Sequence, residues 1–312
     1  MRAAQISAYG GKNVLVVNDQ VPQPVPQAGQ VLVQVQAAGI NPFDYAVREG
    51  LVQQMAELNF PATLGGDVAG LVSATGEGVI DFKIGQAVYG QANALSGQGS
   101  FADFTLVKAE SLAAKPQTVD FPTAAGLPLV SVSAYQALVD HMNLQTDQKI
   151  LIHGGAGGIG SMAVQLANYL GAYVAATASA EDADYVKVLG ADTVIDYHRQ
   201  DFSQLLKDYD AVFDTVGGET NQKSYSILGN GGVLVSMIMA ADDNLAAAHN
   251  IQYVHQFTRV TSQRLTKIAE LVDGGKLRLH IDKLFPLAEA AEALEFSKTS
   301  HTRGKVILSV AN

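Results

Sequence analysis

Cysteine is absent from the 312-residue chain. That excludes disulfides, a thiol nucleophile and any cysteine-ligated zinc. Histidine is scarce. His141, His153, His198, His249, His255, His280 and His301 are the full set, and none forms H-E-x-x-H or another short metal spacing. Each is expected to be structural or on the surface. No apolar run is long enough for a membrane span. The start "MRAAQISAYGGKNVLVV" lacks the apolar stretch and cleavage site of a signal peptide, so a cytoplasmic protein with no membrane partner is expected. Charge is thin at 16% of residues, and the net charge of −10 comes without any basic tail. Phosphate-backbone binding needs clustered Lys and Arg, so no nucleic-acid partner is expected.

What the chain does have is apolar residues, 48%, enough for a sizeable core. Its length suggests about two domains. The first third reads as many short strands between Gly and Pro turns. "QVLVQVQAAGI" alternates apolar and polar residues from Val31 to Val35, the period of a half-buried strand. "DVAGLVSATG", "IGQAVYG", "FADFTLV" and "SLAAKP" read similarly, which predicts a β-rich barrel or sandwich. Near residue 122 the pattern changes. "FPTAAGLPLVSVSAYQALVDHM" has helical spacing, and strands and helices then alternate through "ILIH", "YVAATA", "DTVIDY", "YDAVFDTV", "GGVLVSM" and "IQYVH". That rhythm predicts a parallel, doubly wound Rossmann sheet. "SQRLTKIAELVDGGKL" is an amphipathic helix stopped by Gly274 and Gly275, and "GKVILSV" is a last strand that can rejoin the first domain. The expected organisation is a β-rich domain over residues 1–122 and 263–312, with a Rossmann domain over 123–262 inserted into it.

"ILIHGGAGGIG" (150–160) contains G-x-G-x-x-G as Gly155, Gly157 and Gly160. With 30 glycines in 312 residues, such a match arises by chance about once per thousand positions. Context carries the inference: a strand precedes the loop, a helix follows, and a second strand begins at Tyr173. Gly155 is expected to make the tight turn, Gly157 to let a pyrophosphate approach Ala156–Gly158, and Gly160 to pack helix on strand. The helix start at Ile159 offers unpaired N–H groups and partial positive charge to an anion. At the tip of the second strand, Thr177 and Ser179 stand where many NAD-binding proteins carry an acid. Small hydroxyls leave room for a 2′-phosphate, which favours NADP(H) over NAD(H). Glu181 and Asp182 follow closely and count the other way.

These stretches, together with "AAGINPFDYAVREG" (37–50), "FPATLGGDVAGLV" (60–72), "GSFADF" (99–104), "AAGLPLVSVSAYQAL" (124–138), "LGADTVIDY" (189–197), "DTVGG" (214–218) and "RGKVIL" (303–308), make the chain resemble the zinc-independent, zeta-crystallin-like quinone oxidoreductases of the medium-chain dehydrogenase/reductase superfamily. The resemblance runs nearly end to end. It implies a Rossmann sheet inserted into a β-rich, GroES-like barrel domain. It also implies hydride transfer from NADPH to a quinone or related α,β-unsaturated carbonyl without metal, and self-association as a dimer. An enone or enoyl-thioester reductase, or a non-catalytic NADPH-binding protein of the crystallin or RNA-binding kind, is the alternative.

By the same resemblance, Asn41 lines the cleft near the nicotinamide and Tyr45 is a second candidate catalytic residue. Asp67 is a fold residue bordering that cleft. The four-residue spacing of Asp44 and Arg48, independent of the resemblance, is expected to make a structural pair on a helix turn. Ser133 replaces a cofactor-contacting Thr, and Val216 of "DTVGG" joins the cofactor set. Tyr197 lies by a 2′-phosphate. The family's Lys after the second strand is missing, with Asp182 near its place. Arg303 and Lys305 remain as positive partners for the phosphate. The cofactor cleft is expected between the domains, at the carboxyl ends of the parallel strands.

Overall fold

The computed structural model describes residues 1–311. The chain first forms β1 (Ala3–Ile6), β2 (Leu15–Asn18), β3 (Gln30–Gly39), α1 (Pro42–Arg48), β4 (Ala62–Thr63), β5 (Asp67–Thr75), β6 (Ala87–Gln91), β7 (Phe104–Lys108), β8 (Leu112–Ala114), α2 (Phe121–Gly126) and α3 (Pro128–Tyr135). Next come β9 (Lys149–Ile152), α4 (Gly158–Tyr169), β10 (Tyr173–Ala178), α5 (Ala183–Val188), β11 (Thr193–Asp196), α6 (Phe202–Leu205), β12 (Tyr209–Asp214), α7 (Gly218–Ser224), β13 (Leu228–Ser236), α8 (Asp243–His249) and β14 (Gln252–His255). Last are α9 (Ser262–Asp273), β15 (Ile281–Pro286), α10 (Ala290–Thr299) and β16 (Lys305–Ser309). These elements make two compact units: Met1–Leu129 with Val260–Gly274 and Leu279–Asn312, and Val130–Arg259 with Gly275–Arg278.

In the first unit, β3 is the organising strand. It pairs antiparallel with β5, β7 and β16, within the order β15-β16-β3-β5-β6-β8. Val33 and Val35 are buried and Gln34 between them is exposed, but Leu32 is buried as well, so the alternation expected from Val31 holds only from Val33 to Val35. Toward Gly39 both faces are covered. α2 lies so close that a Cβ on Gly39 would stand 2.4 Å from the Ala125 carbonyl oxygen. Register matters most at this end of β3. Gly39 faces Asp67 of β5 on one side and Ile307 of β16 on the other. Residues just beyond Gly39, at the start of β5 and at the start of β16, are therefore drawn together across more than 260 positions of sequence.

The second unit holds a six-stranded sheet of order β11-β10-β9-β12-β13-β14, every pair parallel. Ile150, Leu151, Ile152, Val174, Ala175 and Ala176 are fully buried, the continuous apolar run of a strand covered on both faces. This is the doubly wound order, with its switch point between β9 and β12. The stretch of helical spacing over residues 121–142 is helical but not one helix. Pro128 has no N–H to continue the ladder, so α2 ends and α3 begins, and a wider π turn over Gln136–His141 follows.

Candidate functional site

The loop after β9 turns at Gly154, whose φ of +70° favours glycine. The turn therefore belongs to Gly154 and not to Gly155. Gly155 is needed for another reason: a Cβ there would stand 3.0 Å from the Ala176 methyl and 3.2 Å from Val186. Gly160 is packed hardest, since its Cβ would fall 2.1 Å from the Gly154 carbonyl oxygen. Gly157 differs from both. Its backbone is extended, and a Cβ there would meet only the Gly154 oxygen at 3.5 Å. α4 opens at Gly158, one residue earlier than expected, with no side-chain cap. The first-turn N–H groups of Gly158, Ile159 and Gly160 have no intrahelical partner. An open Cα edge followed by three amides suits a diphosphate, so the residues present fit a dinucleotide.

His153 anchors this loop from beneath. Its Nε2 lies 2.9 Å from Ser224 Oγ and its Nδ1 3.3 Å from Thr177 Oγ1. Ser224 donates to the Thr220 carbonyl, and Thr177 Oγ1 accepts the Gly154 N–H at 3.1 Å. Those partners suit the neutral tautomer with its proton on Nε2. Thr177 is thereby committed to the loop, which corrects the expectation that its hydroxyl reads the adenosine ribose. Burial pushes the imidazole down to about 4, against a weaker opposing pull from Asp214. A folded value below the unfolded 6.5 means stability is fully present above pH 6.5 and is lost as pH falls toward 4. The full effect is roughly 3 kcal/mol. Denaturant midpoints at pH 7 and pH 4.5 should show this loss in the wild type and a smaller loss in His153→Asn.

The remaining cofactor candidates of this unit are spread around the same sheet. Ser179 donates to Asp182 Oδ2 at 3.1 Å, and both are buried. Its proton is therefore used locally, which corrects the expectation of a donor to a 2′-phosphate. Tyr197, just beyond β11, is 48% exposed with its ring against His198. Val216 is 53% exposed on a loop held by Asp214, which accepts the Val216 and Gly217 amides. Ser133 is buried, its hydroxyl 2.7 Å from Thr258 Oγ1.

The first unit contains a polar cluster at the end of β3. Asn41 caps α1. Asp44, three residues on, turns back to accept the Asn41 N–H at 2.8 Å. Asn41 Nδ2 donates to Asp67 Oδ2 at 2.9 Å, and its Oδ1 accepts from Lys305 Nζ at 2.6 Å. Lys305 also donates to the Ile40 carbonyl. Asp67 accepts two further N–H groups, from Gln91 and Leu129. All four central residues are buried. Burial raises both carboxyls, Asp44 to about 7, and lowers the Lys305 amine, while Asp67 and Asp44 pull that amine back up. Asp44 accepts one N–H where Asp67 accepts three, so the cluster's exchangeable proton sits on Asp44.

Two expectations change here. Lys305 is 4% exposed and committed to Ile40 and Asn41, so it is not a phosphate partner. Asp44 and Arg48 do not pair; Arg48 turns to Glu49 and Glu295. Tyr45 stays outside the hydrogen bonds of the cluster. It packs on the first unit's core, its hydroxyl raised mainly by burial. Arg303 is partly buried just before β16. The place of Asp44 in this cluster was not foreseen, although N-x-x-D before an apolar run is the spacing of a helix cap. Among the described residues, no three His, Asp or Glu side chains are grouped as metal ligands.

A parallel sheet of Rossmann order with an open glycine loop, in a chain that also carries a separate β-rich unit, defines a two-domain protein of the dinucleotide-binding class. Residues 27–117 match the family described as alcohol dehydrogenase GroES-like domain, and residues 189–308 match zinc-binding dehydrogenase. The chain is 35% identical to an NADPH-dependent alkenal/one oxidoreductase, chloroplastic, from Arabidopsis thaliana, over 99% of this chain and 79% of that one. It is also similar to the solved quinone oxidoreductase of Coxiella burnetii, with 32% identity, a TM-score of 0.92, and coverage of 100% of this chain and 99% of that one. The Escherichia coli quinone oxidoreductase complexed with NADPH follows, with 26% identity, a TM-score of 0.89 and coverage of 99% and 100%. The chain belongs to the zinc-independent quinone oxidoreductase branch of the medium-chain dehydrogenase/reductase superfamily.

Proposed function

We propose that this chain transfers hydride from NADPH to a quinone or an enone without a metal ion. The loop over residues 154–160, leading into the uncapped α4, carries this reading. Gly158, Ile159 and Gly160 hold the diphosphate through their amides, with Ala156 and Gly157 beside it. When bound, the reduced nicotinamide supplies the hydride. A quinone or enone accepts hydride directly, so the chain needs only to bind, orient and stabilise the oxyanion that forms. The second N–H of Asn41 Nδ2, which takes no partner among the described residues, is the donor for that charge. Water supplies the final proton. Preference for NADPH over NADH is supported by the names of the Arabidopsis and E. coli relatives, which cite NADPH. Tyr197, Val216, Ser133 and Arg303 are kept as cofactor contacts on the family's pattern, and Tyr45 as a liner of the substrate site.

Fluorescence titration with NADPH and NADH in parallel, then NADPH consumption with p-benzoquinone and with acrolein, tests the reading. Tighter NADPH binding and turnover of at least one acceptor are expected. Absence of binding by both nucleotides would overturn it. Faster acrolein turnover would favour an enal reductase, the chemistry in the Arabidopsis relative's name. We also infer self-association as a dimer. β14 pairs only with β13 among the described residues, and Phe257 beyond it is 71% exposed. Light scattering reads the mass. Cytoplasmic residence is retained as a proposal, to be checked by fractionation.

A further inference from the structure

We propose that Lys305 is a positioning residue for the Asn41 carboxamide, orienting and polarising it so that one N–H of Nδ2 is aimed at the oxyanion formed on the substrate. This rests on the reading of Asn41 as the oxyanion donor. An asparagine amide has two donor hydrogens and one acceptor oxygen, and its two ends are easily exchanged. Here the exchange is blocked from both sides. Lys305 has only hydrogens to give, so it must face Oδ1, at 2.6 Å. Asp67, kept as an acceptor by Gln91 and Leu129, must face Nδ2, at 2.9 Å. The amide is thus locked in one orientation, with a single N–H left over.

The cation also acts on the electrons of the amide. A charge-assisted hydrogen bond to Oδ1 draws density from nitrogen and strengthens the remaining N–H as a donor. The Ile40 carbonyl holds Lys305 in place from a second direction. The groups facing the ammonium are Asp67 from β5 and Asp44 from α1; Gln91 from β6 and the Leu129 amide add no charge. With Asp44 protonated, the cluster holds one cation and one anion and is neutral. With Asp44 ionised it carries a net negative charge beside the donor that must meet an oxyanion. Turnover should therefore fall as pH rises through about 7. Removing the Lys305 charge takes away a force that lowers Asp44, so this fall moves to higher pH.

The test is a double-mutant cycle with Asn41→Ala and Lys305→Met, read with NADPH and p-benzoquinone or acrolein. Lys305→Met is expected to lower kcat at least tenfold, with KM and NADPH affinity changed less than twofold. Its pH limb should move upward. In the Asn41→Ala background, Lys305→Met should cost nothing further. Multiplying effects in the double variant, or wild-type kcat in Lys305→Met, overturn the proposal alone. Wild-type kcat in Asn41→Ala, or a wild-type chain inactive on both acceptors, sinks the Asn41 reading and this proposal together. Should Lys305→Met fail to fold, Lys305→Arg replaces it. The guanidinium keeps the charge, but its planar fork does not reproduce a point donor between Ile40 and Asn41. A several-fold drop in kcat that vanishes in the Asn41→Ala background is then expected, and its persistence there overturns the proposal.

Discussion

Gly157→Asp should fold as the wild type does and lose NADPH binding by at least a hundredfold. The two halves of that result have separate causes. Folding is spared because Gly157 has an extended backbone and space for a Cβ, whose nearest neighbour would be the Gly154 oxygen at 3.5 Å. Position 157 is also the N-cap of α4, where Asp ranks among the preferred residues, so the helix is at least as stable. Binding is lost because the new carboxylate stands over the first-turn amides of α4. A unit charge about 4 Å from a phosphate charge costs about 4 kcal/mol at an effective dielectric near 20. A hundredfold loss needs about 2.7 kcal/mol. Gly160→Ala separates the roles of the glycines. Its Cβ would stand 2.1 Å from a backbone oxygen, so it should lower the melting temperature as well as the affinity. Calorimetry of both variants with NADPH, alongside thermal melting, reads these outcomes. Unchanged NADPH affinity in a folded Gly157→Asp would remove the loop from the cofactor site.

What could be read from the sequence, and what could not, follows the distance between interacting residues. The glycine loop was legible because strand, turn and helix lie within one short window, each marked by its own periodicity. The parallel sheet was legible for the same reason, repeated strand by strand. The cluster around Asn41 was only half legible. Lys305 lies 264 positions from Asn41, and only the antiparallel register of β3 with β16 brings them together. Read by charge alone, a lysine near a nucleotide fold belongs beside a phosphate; burial between two carboxyl groups leaves no mark on its neighbours in sequence. His153 was invisible in another way. Its role comes from Thr177 and Ser224, 24 and 71 residues away. Short elements such as β1 and β4 carry too few residues for a period to emerge, and pairing with neighbours defines them. The residues in α1 offered a cap signal, but their side-chain directions depended on partners outside the helix.

Asp214→Asn should lower the melting temperature by about 10 °C. Asp214 is fully buried at the end of β12 and carries no cationic partner in its hydrogen bonds. Its charge is stabilised by four donors. Oδ1 accepts the amides of Val216 and Gly217 at 2.9 and 2.8 Å, and Oδ2 accepts Asn221 Nδ2 and Ser236 Oγ at 2.7 and 2.8 Å. Ser236 cannot reverse its role, because its oxygen already accepts the amides of Ile238 and Met239. An asparagine offers one oxygen for four donors, so in either orientation an NH2 group faces two of them. Each buried group left unsatisfied costs about 1–3 kcal/mol, which sums to about 4 kcal/mol here, against a typical total stability of about 5–15 kcal/mol. The loss is local as well as global. Asp214 pins residues 215–217, and through Ser236 it pins the turn at 238–239, so two loops at the carboxyl ends of adjacent parallel strands loosen together. Ser236→Ala takes one donor from Asp214, leaving it three, and also takes the acceptor from the Ile238 and Met239 amides, so it should loosen the turn at 238–239 while residues 215–217 stay held. Hydrogen exchange separates the two: Asp214→Asn should speed exchange at Val216, Gly217 and Met239, and Ser236→Ala at Met239 alone. Unchanged exchange at Val216 and Gly217 in Asp214→Asn would mean that Asp214 is no hub.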